Sequence, residues 1–395
     1  MPDINGGLDI IESEDQRDLR GLVREVITAV ASEERIADFD KREAFDEELY
    51  SALAQAGLLQ LEATAETEAE HATYRSQTTV LEELGATATS MAVCLVVQYM
   101  GVSLLTSYGS EAQKAQELAR LFDGSERVAF CLTEPDGGTD VARVMRTRAT
   151  EQPDGSFTLN GSKIWISGAD LAGTLIVLAR TEEASGSNVD GITMFLVPRD
   201  LPGIDVKVMD TMAIHSLETC EIYFDNVSVP KESVLGTVGE GFRQVIATLN
   251  GERLNAAAVA LGMARGALDA ALEFAHGRTA FGRSIGGFQA LQHKLVDSVV
   301  KVESARGLLS RAVEAVDSDG GDGASLSALA KIAASDAATF CSDVGMRVMG
   351  GSGFSLEYPM QRFFRDARLY TFAPFTDEMV RNFVGEKLLA FPRSY

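Results

Sequence analysis

Phe130-Cys131-Leu132-Thr133-Glu134-Pro135-Asp136-Gly137-Gly138-Thr139-Asp140 and, downstream, Leu159-Asn160-Gly161-Ser162-Lys163-Ile164-Trp165-Ile166-Ser167 are the stretches on which the reading of this chain turns. The first is polar and glycine-rich. Gly137 and Gly138 let backbone approach a ligand without Cβ clashes, and Thr133 and Thr139 supply hydroxyl and amide donors. The second carries the single tryptophan at the centre of an apolar/polar alternation. Taken alone, a Gly-Gly pair is a turn and a tryptophan belongs to a core. Both stretches lie at the ends of strand-like runs, however. A donor-rich loop beside an aromatic plane suits a flat, phosphorylated, redox-active ring system, and so points to a flavin.

On either side of this region the periodicity is helical. Leu19, Leu22, Val23, Val26 and Val30 recur at helical spacing, with Asp15 and Asp18 near the expected N-terminus. Further helices are predicted around 45–57, 75–86 and 88–106, and the acidic Glu62–Glu70 stretch is expected to be an exposed loop. Strand-like runs then follow at 156–159, 163–167, 174–179, 191–197 and 219–224. Asp154-Gly155, Asn160-Gly161 and Pro202-Gly203 read as the turns between them. After Gly241 the helical period returns over about 241–276, 287–316, 325–349 and 376–390, the pattern of an antiparallel bundle. The linker from Asp317 to Gly323 is glycine- and aspartate-rich, but its twelfth position is Ala328, where a calcium loop needs glutamate. It reads as a solvated connection. The fold class is therefore α+β: an N-terminal helical domain (1–127), a middle β-domain built as a small barrel or sandwich (128–238) and a C-terminal four-helix bundle (239–395).

Composition removes several classes of function. A net charge of −23, from 58 acidic and 35 basic residues, argues against nucleic acid or an anionic membrane as partner. It fits a strongly solvated surface or adaptation to high salt. The longest obvious apolar run, Met91 to Val97, stops at Gln98, so no membrane span is expected. No secretory leader is evident at the N-terminus. The four cysteines are far apart and read as buried thiols in a reducing cytoplasmic compartment. The four histidines show no metal-ligand spacing, and no metal is expected.

The two opening stretches, with three further motifs, resemble the acyl-CoA dehydrogenase family over nearly the whole chain. The others are Met212 to Pro230, Arg278-Thr-Ala-Phe281-Gly282 running on to Phe288-Gln289, and Gly350-Gly351-Ser-Gly353 followed by Arg365-Asp366-Ala-Arg368. The resemblance implies the same three-part fold, a homotetramer and FAD. By motif position Phe130, Leu132, Thr133, Gly138, Thr139, Trp165 and Ser167 would line the flavin, with Thr376 also on the cofactor. Arg278, Phe281, Gln289, Arg347 and Gly351 would meet the FAD of a neighbouring subunit. A guanidinium such as that of Arg278 can clamp a pyrophosphate in bidentate fashion. Thr139 and Arg253 would contact substrate, and an electron-transferring flavoprotein would take the electrons. The implied activity is α,β-dehydrogenation of an acyl-CoA thioester to the 2-enoyl-CoA.

That chemistry needs a carboxylate to take the α-proton, best placed where desolvation raises its pKa. Many family members carry it in a Tyr-Glu-Gly-Thr-like stretch after the Arg-Asp-Ala motif. Here the run is Tyr370-Thr-Phe-Ala-Pro374-Phe-Thr376-Asp377-Glu378, with Pro374 in the glutamate's place. Proline also lacks the N–H that could steady a thioester oxygen. Isovaleryl- and long-chain-type members use a Glu-Arg pair early in the first bundle helix, and Leu249-Asn250-Gly251-Glu252-Arg253 occupies that place. Glu252 is accordingly the expected base. Asp377 and Glu378 read as bundle-surface or helix-start residues, and His215, His276 and His293 receive no role. Two other readings stay open, and the proline fits the first. One is a catalytically silent subunit completing the FAD site of a paralogous partner in a heteromer. The other is a flavin enzyme acting as an acyl-thioester oxidase or reductase.

Overall fold

The computed structural model describes residues 12–61, 74–318 and 321–393. The Glu62–Glu70 stretch expected to be a loop lies outside them. Six helices come first: α1 (Glu14–Val30), α2 (Glu33–Arg42), α3 (Glu47–Gln55), α4 (Tyr74–Gly85), α5 (Thr89–Tyr108) and α6 (Glu111–Phe122). Local chemistry sets several of their starts. Ser13, Ser32, Asp46 and Ser110 each accept a backbone N–H from the first turn they cap. Helix α5 is long and apolar enough to cross a membrane, yet 78% of its apolar window is buried inside the fold. Gln98, which interrupts the apolar run, is satisfied there: its amide pairs in both directions with the Val128 backbone, at 3.0 and 3.1 Å.

The middle region forms one eight-stranded sheet in the order β6-β7-β3-β2-β4-β5-β8, with β1 added alongside β4. The strands are β1 (Val128–Cys131), β2 (Arg148–Glu151), β3 (Phe157–Ser167), β4 (Thr174–Arg180), β5 (Ile192–Pro198), β6 (Ile204–Met209), β7 (Thr219–Val229) and β8 (Val234–Leu235). A four-residue helix, α7 (Val141–Val144), follows β1. Asp154-Gly155 and Pro202-Gly203 lie between strands as expected. Asn160-Gly161 does not: β3 runs straight through it, with a register shift against β7. Gly161 holds φ at 147° while its α-carbon presses on Thr147, where a Cβ would lie 2.6 Å from that residue's backbone. It is thus a bulge at a close approach, not a hairpin.

The C-terminal region contains α8 (Gly241–Gly277), α9 (Gln289–Asp317), α10 (Gly323–Met349), α11 (Gly351–Phe354), α12 (Met360–Asp366) and α13 (Asp377–Lys387). Helix α8 packs closely on α4 because glycines face backbone at the crossing. A Cβ on Gly85 would meet the Val259 carbonyl at 2.5 Å, and one on Gly262 the Glu82 carbonyl at 2.2 Å. A buried ionic cluster ties the two helical regions together beside that crossing. Arg20 (3.2 Å) and Arg306 (3.3 Å) reach Glu82, and Arg265 reaches Glu83 at 2.7 Å. Asp317, read as part of a solvated linker, ends α9 and accepts the Tyr74 and Arg75 amides at 3.0 and 3.2 Å. All four cysteines are free and buried.

Candidate active site

The loop after β1 is fastened to β3 by a buried ion pair that sequence reasoning passed over. Lys163, fully buried, places its ammonium 2.9 Å from Glu134 and 2.9 Å from the Leu132 carbonyl. Glu134 also accepts the amides of Arg146 (2.6 Å) and Thr147 (3.0 Å). Burial alone would raise the Glu134 carboxyl; Lys163 and the two amides outweigh it and hold the group below its usual range. The signal was available, because Lys163 continues the inward alternation of Phe157, Leu159 and Gly161 along β3. Gly137 has a packing role, since a Cβ there would lie 2.4 Å from Val144; at Gly138 nothing lies within 4 Å. Of the two glycines, only Gly138 leaves backbone open to a ligand.

The strand opposite bends to present its aromatic ring. Between Lys163 and Ile166 the β3–β7 register slips, Ile164 donates to the Thr133 carbonyl at 3.0 Å, and Trp165 adopts φ of 61°. That conformation is strained for an aromatic residue. It turns the ring out of the sheet, leaving Trp165 59% exposed beside the Thr133 loop. Leu132, Thr133 and Trp165 are thereby brought together, with Phe130 and Ser167 at the neighbouring strand ends and Gly138 and Thr139 exposed on the loop.

A second set lies apart, on the surface of the bundle. Arg278 is exposed at the C-cap of α8, Gln289 is exposed at the start of α9, and Phe281 is 96% exposed with φ of 51°. Exposed Arg347 pairs with Asp343 at 2.7 Å, and Gly351 is exposed beyond α10. Thr376 caps α13 by accepting the Met379 amide at 3.2 Å. Asp377 is not a surface residue. It is 6% exposed, 2.6 Å from Lys331, and accepts the Ser335 hydroxyl at 2.9 Å. Lys331 also donates to the carbonyls of Tyr370 (2.7 Å) and Phe375 (3.0 Å), which clamps the segment containing Pro374.

Glu252 lies about 16 Å along α8 from its first residue. It is 8% exposed, and burial lifts its carboxyl from 4.5 to about 8, with no cation or donor among the described residues pulling it down. Two tyrosines from other elements border it. The Tyr74 ring lies over Gly251, whose Cβ would be 2.1 Å from the tyrosine oxygen. The phenols of Tyr74 and Tyr370 are both raised, first by burial and then by the charge on Glu252. Arg253 points elsewhere, 4.6 Å above the Phe383 ring centroid and 3.3 Å from Asn250, with its Nε buried and unpartnered. Two features with chemistry thus stand out: the desolvated carboxyl of Glu252 on α8, and the glycine-opened loop beside Trp165 in the middle domain.

Family models match the chain in three consecutive pieces: the acyl-CoA dehydrogenase N-terminal domain over 13–125, the middle domain over 129–227 and the C-terminal domain over 239–389. The chain belongs to the acyl-CoA dehydrogenase family. It is 39% identical over 293 residues to a glutaryl-CoA dehydrogenase of Desulfococcus multivorans, 74% of each chain. Its fold is similar to the butyryl-CoA dehydrogenase of Megasphaera elsdenii, with a TM-score of 0.89, 32% identity, and coverage of 97% of this chain and 100% of that one. It is also similar to a chain in a structure described as the electron transferring flavoprotein of Acidaminococcus fermentans (TM-score 0.90, 32% identity, covering 97% and 100%). This acyl-CoA dehydrogenase is an oxidoreductase whose cofactor is FAD. The residues present fit that group: an outward-turned Trp165, a Thr133 loop anchored from beneath, and open space at Gly138.

Proposed function

We propose that this enzyme dehydrogenates an acyl-CoA thioester at its α,β-bond, with Glu252 as the α-proton base. The observation that carries the reading is the Glu252 carboxyl itself, buried, raised to about 8, and with no cation among the described residues to hold it ionised and inert. Tyr74 and Tyr370 lie near enough for its charge to raise their phenols. The carboxylate form takes the α-proton of a bound thioester, and the protonated form that results is the one its surroundings favour. FAD, when bound, supplies the acceptor for the β-hydride. Thr133, Gly138 and Thr139 would offer donors to the cofactor, and Phe130, Leu132, Trp165, Ser167 and Thr376 would help to hold it. Thr139 and Arg253 would contact the substrate, Arg253 through a guanidinium whose Nε is unpartnered among the described residues. Pro374 offers no N–H to the thioester oxygen, so that donor must come from elsewhere.

Arg278, Phe281, Gln289, Arg347 and Gly351 are exposed in the single chain, which supports a homotetramer in which they meet a neighbour's FAD. The electron acceptor we favour is an electron-transferring flavoprotein. The test is anaerobic: an acyl-CoA should bleach the yellow holoenzyme, and Glu252→Gln should retain flavin and lose the bleaching. Unchanged bleaching overturns the assignment. Pro374 favours one second reading, a silent subunit of a heteromer; a protein that acquires flavin only with a co-expressed paralogue would establish it.

A further inference from the structure

Asn255 follows Glu252 by one turn of α8 and is 1% exposed, and its side-chain Oδ1 is buried with no hydrogen-bond partner among the described residues. The identity of that atom is fixed by a relay from the N-terminal region. Gln77 Nε2 donates to the Leu61 carbonyl at 2.5 Å, which turns Gln77 Oε1 toward α8. Asn255 Nδ2 donates to that oxygen at 3.0 Å. Flipping one amide sets two donors or two oxygens face to face, and flipping both sets Gln77 Oε1 against the Leu61 carbonyl. The orphan is therefore an acceptor.

Three helical residues leave Asn255 about 60° around the axis from Glu252 and about 4.5 Å further along it. The next six residues, Ala-Ala-Ala-Val-Ala-Leu from 256 to 261, are buried and apolar and bring no side-chain donor. Buried polar atoms are nearly always partnered, so an orphan acceptor beside a candidate base calls for a missing donor.

We propose that Asn255 Oδ1 receives a hydrogen-bond donor carried by the acyl chain, so that the substrate is an acyl thioester bearing a hydroxyl or amide N–H a few bonds beyond its α-carbon. The proposal rests on Glu252 being the α-proton base, which fixes where the α-carbon lies. An unsubstituted chain would leave the oxygen unpaired, and sites built around a buried polar group discriminate strongly against the ligand that lacks its partner.

Binding tests this separately from turnover. In FAD-loaded Glu252→Gln protein, dissociation constants for pentanoyl-CoA and its 4-hydroxy and 5-hydroxy derivatives are read by calorimetry. At least one hydroxy ester should bind about tenfold to a hundredfold tighter than the plain ester. Adding Asn255→Leu should bring the constants within about twofold. Equal constants in the first protein, as expected if a water satisfies Oδ1, overturn the proposal. So does a preference that survives Asn255→Leu in protein with a native flavin spectrum. Should Asn255→Leu fail to fold, the first comparison decides alone. Bleaching that persists in Glu252→Gln would instead overturn the base assignment, and the binding constants would still be readable.

Discussion

Replacing Glu252 with glutamine separates the cost of keeping this carboxyl buried from its chemistry. Burial raises it from 4.5 to about 8. Between those values the folded protein keeps the group protonated while the unfolded chain has ionised it. Stability therefore falls as pH rises from about 4.5 to about 8 and then levels off. At about 1.4 kcal/mol per pH unit, the full loss is roughly 5 kcal/mol; glutamine suffers none of it. An unfolding entropy of about 2 cal/mol/K per residue converts this to roughly 6 °C for a chain of 395 residues. Melting both proteins by calorimetry with saturating FAD should show glutamine ahead by roughly 6 °C near pH 9 and by about 1 °C near pH 5. Equal offsets at the two pH values would refute the reasoning, because a partner-stabilised or exposed carboxyl gives no such divergence. The parent enzyme's flavin-reduction rate should rise with pH toward about 8 as the base ionises, which stopped-flow absorbance reads directly.

Three further outcomes follow from the same geometry. Lys163→Met leaves Glu134 buried without its cation and should cost about 3–5 kcal/mol, with FAD content falling as the Thr133 loop loses its anchor; full flavin occupancy with unchanged melting would count against that role. Gly251→Ala drives a methyl into the Tyr74 ring, so flavin reduction should slow by at least about tenfold, as expected from a misplaced base. Adding Tyr74→Ala should recover part of the rate, whereas Tyr74→Phe should not, because the ring carbons are as close as the hydroxyl. Lys331→Met should loosen the segment from Tyr370 to Asp377, seen as faster amide hydrogen exchange there than in α10.

Motif order and periodicity placed the helix–sheet–helix architecture and singled out the Thr133 loop, Trp165 and Glu252 as candidates, because each depends on neighbours close in sequence or on a pattern repeated along one element. They misread Asn160-Gly161 as a turn, since Asn-Gly signals a hairpin locally and the contact that makes it a bulge comes from Thr147 on another segment. They read Asp377 as a surface or helix-start residue; it does start α13, but buried, because α10 brings Lys331 and Ser335 to it across the bundle. The Lys163–Glu134 strut was half visible, as an inward lysine in an apolar alternation, but its partner lies 29 residues away. By itself, then, the sequence determined the family and the three-part fold, and it named the residues proposed to carry the chemistry. Only the tertiary structure decided that Glu252 is desolvated, with Tyr74 and Tyr370 near enough to feel its charge, and that Asn255 Oδ1 has no donor among the described residues. Burial and satisfaction depend on what other elements bring to a side chain, and no local pattern along the chain records that.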